Sequence, residues 1–352
     1  MRSEIKIIAG KLGIATSSVS RALSGKPGVS DGLRKKVRAL AGNTSYAPNL
    51  HAAALRTGRR EGIVLVTTPN PTHVSMLRNR AIVEMGQRIF GSVRILLYHP
   101  GEPLDKTVNQ AISYNPRAIV VSSLSGEIDS SLQAKLRSLE TPLVAVDSNI
   151  PNAHSILIDR RTGAFQAARL LLLSGCRNPV FLSSFRISNP DQRIEGIMCA
   201  YKSLGRRLTE GDIYLFKGDQ AISSFYTGYE CAEDILRTRA CDGMFCYNDE
   251  IAAGALRALN DANVKVPEEV RVIGFDNLPF SGFSTPSLTT VAQPVDEPAV
   301  AALRLCDAKP GLAGKMRLEV FETKLVVRES APLPSNKLRD KVFLKINGEG
   351  CQ

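Results

Sequence analysis

From Gly62 onward the chain repeats one pattern: a short aliphatic run, a polar residue that ends it, and a stretch of helical periodicity. Ile63-Val64-Leu65-Val66, Val93-Arg94-Ile95-Leu96-Leu97, Ala118-Ile119-Val120-Val121 and Leu143-Val144-Ala145-Val146 open the series. Val180-Phe181-Leu182, Gly243-Met244-Phe245-Cys246 and Val270 to Phe275 continue it. A run that is apolar at nearly every position has no solvent face, so it needs cover on both sides. Such runs alternating with helices make parallel sheets with helices on both faces, an α/β architecture. Ligands in these sheets bind at the carboxyl ends of the strands. The residues that end the runs are therefore the first to inspect: Thr67-Thr68-Pro69-Asn70, Ser122-Ser123, Asp147, Asp159, Asn248-Asp249 and Asp276-Asn277.

Ahead of this body the charge changes abruptly. Residues 1–60 hold 12 Lys and Arg against two acids, +10 of the formal +11 carried by all 352 residues. A basic module on a near-neutral body suits contact with a polyanion. A solvated basic arm is the alternative, and the pattern within the segment argues against it. Ile5, Ile8, Ala9 and Leu12 fall at helical spacing, and Gly13 then supplies a tight turn. A second helix spans Thr16 to Leu23, with Val19, Ala22 and Leu23 on the packing side and Thr16, Ser17, Ser20 and Arg21 facing outward. Two short helices joined by a Gly turn are a helix-turn-helix, whose second helix enters the major groove of DNA. A third starts at a Ser30 cap and runs through Leu33, Val37 and Leu40, with Arg34, Lys35, Lys36 and Arg38 on its wet side. A turn at Tyr46-Ala47-Pro48-Asn49 and a short helix from Leu50 to Thr57 follow.

Ala9-Gly10-Lys11-Leu12-Gly13-Ile14-Ala15, Val19-Ser20-Arg21, Val29-Ser30, Tyr46-Ala47-Pro48-Asn49 and Leu55 resemble, in order and spacing, the headpiece and hinge of LacI/GalR-family transcription regulators. The resemblance makes Thr16 and Ser17 base-reading positions, Ser18 a phosphate contact and Arg21 a base-edge contact. Ser30 and Asn49 join the DNA-facing set. Ala52 and Leu55 match a hinge helix that enters the minor groove, where the leucine wedges between base steps; packing of Leu55 against the body is the alternative. Arg suits bidentate contact with guanine, and Ser and Thr bond bases or phosphate. The pattern departs at Ala15, which stands where a capping serine is usual and shifts the cap to Thr16. It departs again at Ile7 and Thr44.

The resemblance continues through Asp191-Gln192-Arg193-Ile194-Glu195-Gly196, Cys246 to Gly254, Val272 to Asp276, Pro286 to Val291 and Gln293-Pro294, and so covers about residues 5–328. It implies a helix-turn-helix head followed by two doubly wound parallel-sheet subdomains of the periplasmic-binding-protein-like kind. The expected divisions are 1–48 for the DNA-binding head and 49–60 for the hinge helix and linker. The effector-binding part covers 61–330, as about 61–159 with 289–318 and 160–288 with 319–330, and 331–352 is a basic polar tail. Arg193, Asn248 and Asp276 sit at the family's ligand-contacting positions, with Asp147 a further candidate. Amide and charged groups at separate strand ends can bond several hydroxyls at once. Each has an alternative: Asn248 as a helix cap, Asp276 as a loop organiser, Arg193 as half of an internal salt bridge. Thr68, Asn70 and His73 are weaker candidates in the first subdomain, and Phe225 or Tyr226 is a candidate stacking partner. Arg160, Arg161, Arg186 and Arg193 near the cleft raise the option of a phosphorylated or acidic effector.

These observations predict a regulator whose partners are operator DNA, a sugar or sugar derivative, and a second copy of the chain, since a helix-turn-helix reads half-sites in pairs. Repression is the commoner outcome in that family. An enzyme on a doubly wound fold is the rival. The chain has no GxGxxG after its first strand, no GxxxxGK[ST], no GxSxG and no HExxH, so neither an enzyme nor a cofactor is expected. A secreted sugar-binding protein is a second rival. No apolar run followed by a small-residue cleavage site opens the chain and none is long enough to span a bilayer, so a cytoplasmic location without a membrane partner is expected. Seven cysteines without CxxC spacing and four scattered histidines read as reduced thiols and no metal centre.

Overall fold

The computed structural model describes residues 4–23, 27–42, 60, 62–124, 129–138, 140–148, 150, 153–216, 225–307 and 316–344. The chain forms two units that divide between Arg59 and Arg60. The smaller holds α1 (Glu4–Leu12), α2 (Thr16–Leu23) and α3 (Asp31–Gly42). Ile8 and Ala9, Val19 and Ala22, and Val37 and Ala41 supply one apolar stripe from each helix to a common core. Gly13, at φ 61°, lets the chain turn after α1 where an L side chain would cost ~1–2 kcal/mol. The Ile14 N–H donates back to the Ala9 carbonyl at 3.1 Å. The expected Thr16 cap is not formed. Thr16 is already helical, and the carbonyl of Ala15 accepts from Ser18 and Val19 N–H at 2.9 and 3.3 Å. Ser30 does cap α3, its Oγ accepting from the Leu33 N–H at 3.4 Å.

The larger unit holds two six-stranded sheets. The first comprises β1 (Ile63–Thr67), β2 (Val93–Leu97), β3 (Ala118–Ser122), β4 (Leu143–Val146), β5 (His154–Asp159) and β11 (Leu318–Glu322), ordered β11-β5-β4-β3-β1-β2. The second comprises β6 (Pro179–Ser183), β7 (Ile213–Leu215), β8 (Gly243–Cys246), β9 (Arg271–Asp276), β10 (Thr289–Ala292) and β12 (Lys324–Val326), ordered β12-β10-β9-β8-β6-β7. The described pairings are parallel except for β10 with β12.

Both faces are covered, as continuous apolar runs require. Ile63, Leu65 and Val120 pack under α4 (His73–Phe90) and α11 (Asp296–Cys306). Val64, Val66 and Val121 pack under α5 (Leu104–Ser113) and α6 (Ser130–Ser138). In the second sheet Phe181, Phe245 and Phe275 meet α7 (Arg160–Leu173) and α8 (Gln192–Ser203). Val180, Leu182 and Met244 meet α9 (Phe225–Thr238) and α10 (Asp249–Asp261). Leu65 is 0 % exposed, and its truncation to Ala would cost ~2–5 kcal/mol. The α9–α10 pair approaches closely through glycines: a Cβ on Gly254 would stand 1.9 Å from the Phe225 carbonyl oxygen, and one on Gly228 2.0 Å from that of Ile251.

Among the described residues the chain crosses between the sheets three times, at Asp159–Arg160, after Ala292 and at Thr323. The return therefore falls later than the expected 289, since β10 still belongs to the second sheet. The last crossing falls after 318, since all of β11 lies in the first. Cys176, Cys231, Cys241, Cys246 and Cys306 are free thiols. Cys199 is disulfide-bonded, which departs from the reading of uniformly reduced cysteines.

Candidate functional site

The strand ends of the two sheets meet in a cleft of about 440 Å³. Asp147, at the end of β4, takes φ 51°, and Asp276, at the end of β9, φ 112°. Conformations of this kind cost ~1–3 kcal/mol each and persist where the surrounding structure fixes them. The Asp147 carboxylate is claimed by two arginines. Arg78 of α4, wholly buried, donates from Nη1 at 3.0 Å, and Arg160 of α7 closes a bidentate pair from the other subdomain, with Nη1 at 2.8 Å. Burial pushes the Asp147 carboxyl up, but Arg160 and Arg78 outweigh burial and hold it down at about 2. Desolvation lowers the Arg78 guanidinium in turn, against the pull of Asp147.

Across the cleft Asp191 caps α8, accepting from Arg193 N–H and Ile194 N–H at 3.1 and 3.0 Å. Its other oxygen accepts from Arg193 Nη1 at 3.0 Å. The Arg193 guanidinium is held between the rings of Tyr247 and Phe275, 4.1 and 4.4 Å from their centroids. Burial would lower its pKa; Tyr247, Asp191 and Asp276 together raise it instead. Asp276 lies behind it and accepts from Gln293 Nε2 at 2.5 Å. Burial pushes the Asp276 carboxyl up to about 6, against Arg193 and the Gln293 bond. Two buried atoms in this wall have no hydrogen-bond partner: the donor Arg193 Nε and the acceptor Gln293 Oε1. The opposite wall offers hydroxyls, where Thr72 caps α4, its Oγ1 lies 2.9 Å from that of Ser75, and Ser123 Oγ donates to Ser75 Oγ at 2.9 Å.

Four of the predicted effector residues, Asp147, Arg193, Asn248 and Asp276, line this one cleft. Asn248 also caps α10, its Oδ1 accepting from the Ile251 N–H at 2.9 Å, and Arg193 also forms the salt bridge weighed against it. Thr68 and Asn70 do not line it. His73 sits at the start of α4 and places Nδ1 2.9 Å from Glu250 Oε2, at the start of α10 in the other subdomain. Phe225 packs on Phe280 at 5.5 Å and Tyr226 is 69 % exposed, so Tyr247 replaces both as the aromatic of the cleft. Arg78 and Ser75 were not singled out in the sequence; Ser123 was marked only as the end of an apolar run, and Gln293 only as part of a block that carries the resemblance. The arginines that suggested an anionic effector do not form a bare cationic site. Arg160 and Arg193 are each paired with a carboxylate, while Arg161 lines another cavity and Arg186 is exposed away from the cleft lining.

In the head, α2 leaves Thr16, Ser17 and Arg21 exposed and Ser18 half-buried, while Val19 and Ala22 face the core. Ser30 is exposed at the start of α3. Asn49, Ala52 and Leu55, with the predicted hinge helix, lie outside the described residues.

A periplasmic binding protein-like domain model matches residues 168–331. The HTH-type transcriptional regulator GalR of Escherichia coli is 30% identical over 349 residues, 94% of this chain and 96% of that protein. A lac repressor dimer bound to operator and an anti-inducer aligns with a TM-score of 0.71 at 20% identity, over 92% of this chain and 98% of the other. The transcriptional regulator CelR in complex with cellobiose aligns with a TM-score of 0.62 at 21% identity, over 94% and 100%. At those identities the structures speak for the fold, and the fold is theirs.

Proposed function

The chain belongs to the LacI/GalR family of transcriptional regulators, and from that premise we propose which residues carry its two binding activities. The head reads operator DNA through α2. Arg21 reaches a base edge, Thr16 and Ser17 flank it, and Ser18 and Ser30 hold the backbone phosphates. Asn49, Ala52 and Leu55 extend the contact into the minor groove on sequence grounds, and two copies of the chain present two heads to a pseudo-palindromic site.

The body binds a neutral polyhydroxyl compound, a sugar or a close derivative, in the cleft. One observation carries this reading: the unpaired donor Arg193 Nε and unpaired acceptor Gln293 Oε1 stand in one buried wall. Buried polar groups are normally satisfied, and a hydroxyl is the group that accepts and donates at once. The pairing of Arg160 and Arg193 with carboxylates removes the reason for an anion there. Effector contacts to Asp147 and Thr72 on one wall and Asp276 and Arg193 on the other favour the closed cleft, and closure alters the DNA affinity of the head by linkage.

Isothermal titration of the full chain with a panel of neutral mono- and disaccharides, sugar acids and sugar phosphates tests the cleft. Binding of a neutral sugar that is lost in Asp276→Ala supports the assignment; exclusive binding of sugar acids or phosphates at Asp276 and Arg193 overturns it. For the head, gel shifts with genomic DNA fragments at two salt concentrations should show a sequence-specific complex that Arg21→Ala removes.

A further inference from the structure

The cleft is not the largest cavity among the described residues. A second one, of about 720 Å³, opens on another face of α7 and α8. Among the described residues that line it, Arg161, Arg206 and Arg207 stand against the acid Glu195, a formal excess of +2, and Met198, Ile187 and Leu208 make an apolar wall. Arg206 and Arg207 are exposed and enter no ion pair among the described residues. Arg161 Nε is buried without a hydrogen-bond partner, while its Nη2 donates to Cys199 Sγ at 3.4 Å. Arg160 and Arg161 are successive residues, yet the first lines the cleft and the second this cavity. Arg193 and Glu195 divide in the same way along α8, because residues two apart on a helix point to opposite sides.

We propose that this outer cavity is a second ligand site, separate from the effector cleft, for a small organic phosphate monoester. Three arginines present planar donor forks that match phosphate oxygens. The excess positive charge suits a dianion, and the unpaired Arg161 Nε awaits an acceptor. The apolar wall accommodates an organic body, which distinguishes the ligand from a bare inorganic ion.

Phenyl phosphate is the suitable probe, since it has the dianion and an apolar body but none of the hydroxyls that the cleft recognises. Titrated into the full chain without reductant, so that Cys199 keeps its disulfide, it should bind at one saturable site, more tightly than inorganic phosphate. Its Kd should rise at least about tenfold in the exposed double variant Arg206→Glu/Arg207→Glu and in the milder Arg206→Gln/Arg207→Gln, while Asp276→Asn in the cleft leaves it unchanged. Absence of saturable binding to the wild type overturns the proposal. So does binding that survives both double variants, or that is lost in Asp276→Asn.

Discussion

Replacing Asp276 by Asn should make the ligand-free body more stable at neutral pH while weakening effector binding. The carboxyl is 6 % exposed, and burial lifts it from its ordinary 3.8 to about 6. Between those values the folded chain holds a proton that the unfolded chain releases, so stability falls as pH rises through the window. Above pH 6 the full cost of burying the charge applies. Two pH units at ~1.4 kcal/mol each give ~3 kcal/mol at pH 8 and about half that at pH 5. The amide of Asn cannot ionise, and its oxygen can still accept from Gln293 Nε2, so the variant avoids the cost of the buried charge and keeps that hydrogen bond. The chain has no Trp, so urea unfolding followed by circular dichroism is the assay, at pH 5 and pH 8. The variant should be more stable by ~1.5 and ~3 kcal/mol respectively. Effector affinity should fall about 10- to 100-fold with the loss of a charge-assisted hydrogen bond. A variant less stable than the wild type at pH 8, by the same margin at pH 5, would refute the argument: Asp276 would then be a net structural anchor held by Arg193.

The opposite sign is expected at Asp147. Asp147→Ala strands Arg78, 0 % exposed, beside Arg160, and should cost ~3–5 kcal/mol in the same urea assay. In the wild type, Asp147 is held at about 2, so its stabilisation is complete above pH 3.8 and is lost only as pH falls through about 2; acid unfolding of the wild type and of Arg160→Gln should differ accordingly, the variant failing at the higher pH. Arg21→Ala should weaken operator binding by ~1–3 kcal/mol, about 5- to 150-fold, with a smaller effect on competitor DNA, as read by gel shift. Gly254→Leu should yield no folded body by circular dichroism, because even its Cβ would stand 1.9 Å from the Phe225 carbonyl oxygen.

Both layers of the fold could be read locally. Alternate residues of Ile63-Val64-Leu65-Val66 enter different cores, and a strand with no polar face can only sit inside a covered sheet. The head was equally legible, because the stripes at Ile8, Val19 and Val37 repeat at helical spacing and converge. Pairings with partners distant in sequence were not legible, and locally the start of the second helix was misplaced by one residue. Thr16 looks like a cap by composition, but the helix begins one residue earlier than that role allows. His73 was a candidate ligand contact, and its pairing with Glu250, far along the chain and 2.9 Å away, carried no local signal. Phe225 has the chemistry of a stacking partner and packs on Phe280 instead.

The sequence by itself determined the layered α/β body, the basic three-helix head, and the strand-end residues Asp147, Asn248 and Asp276, because periodicity, charge and strand termination are local properties of the chain. Tertiary structure decided how the charges are shared. It set Arg78 behind the cleft and Gln293 in its wall, gave Arg160 to Asp147, and sent Arg161 to a different cavity. Which carboxylate neutralises which guanidinium depends on contacts between distant parts of the chain, 69 positions apart for Arg78 and Asp147, and on burial that strengthens each interaction. A list of residues in order contains neither.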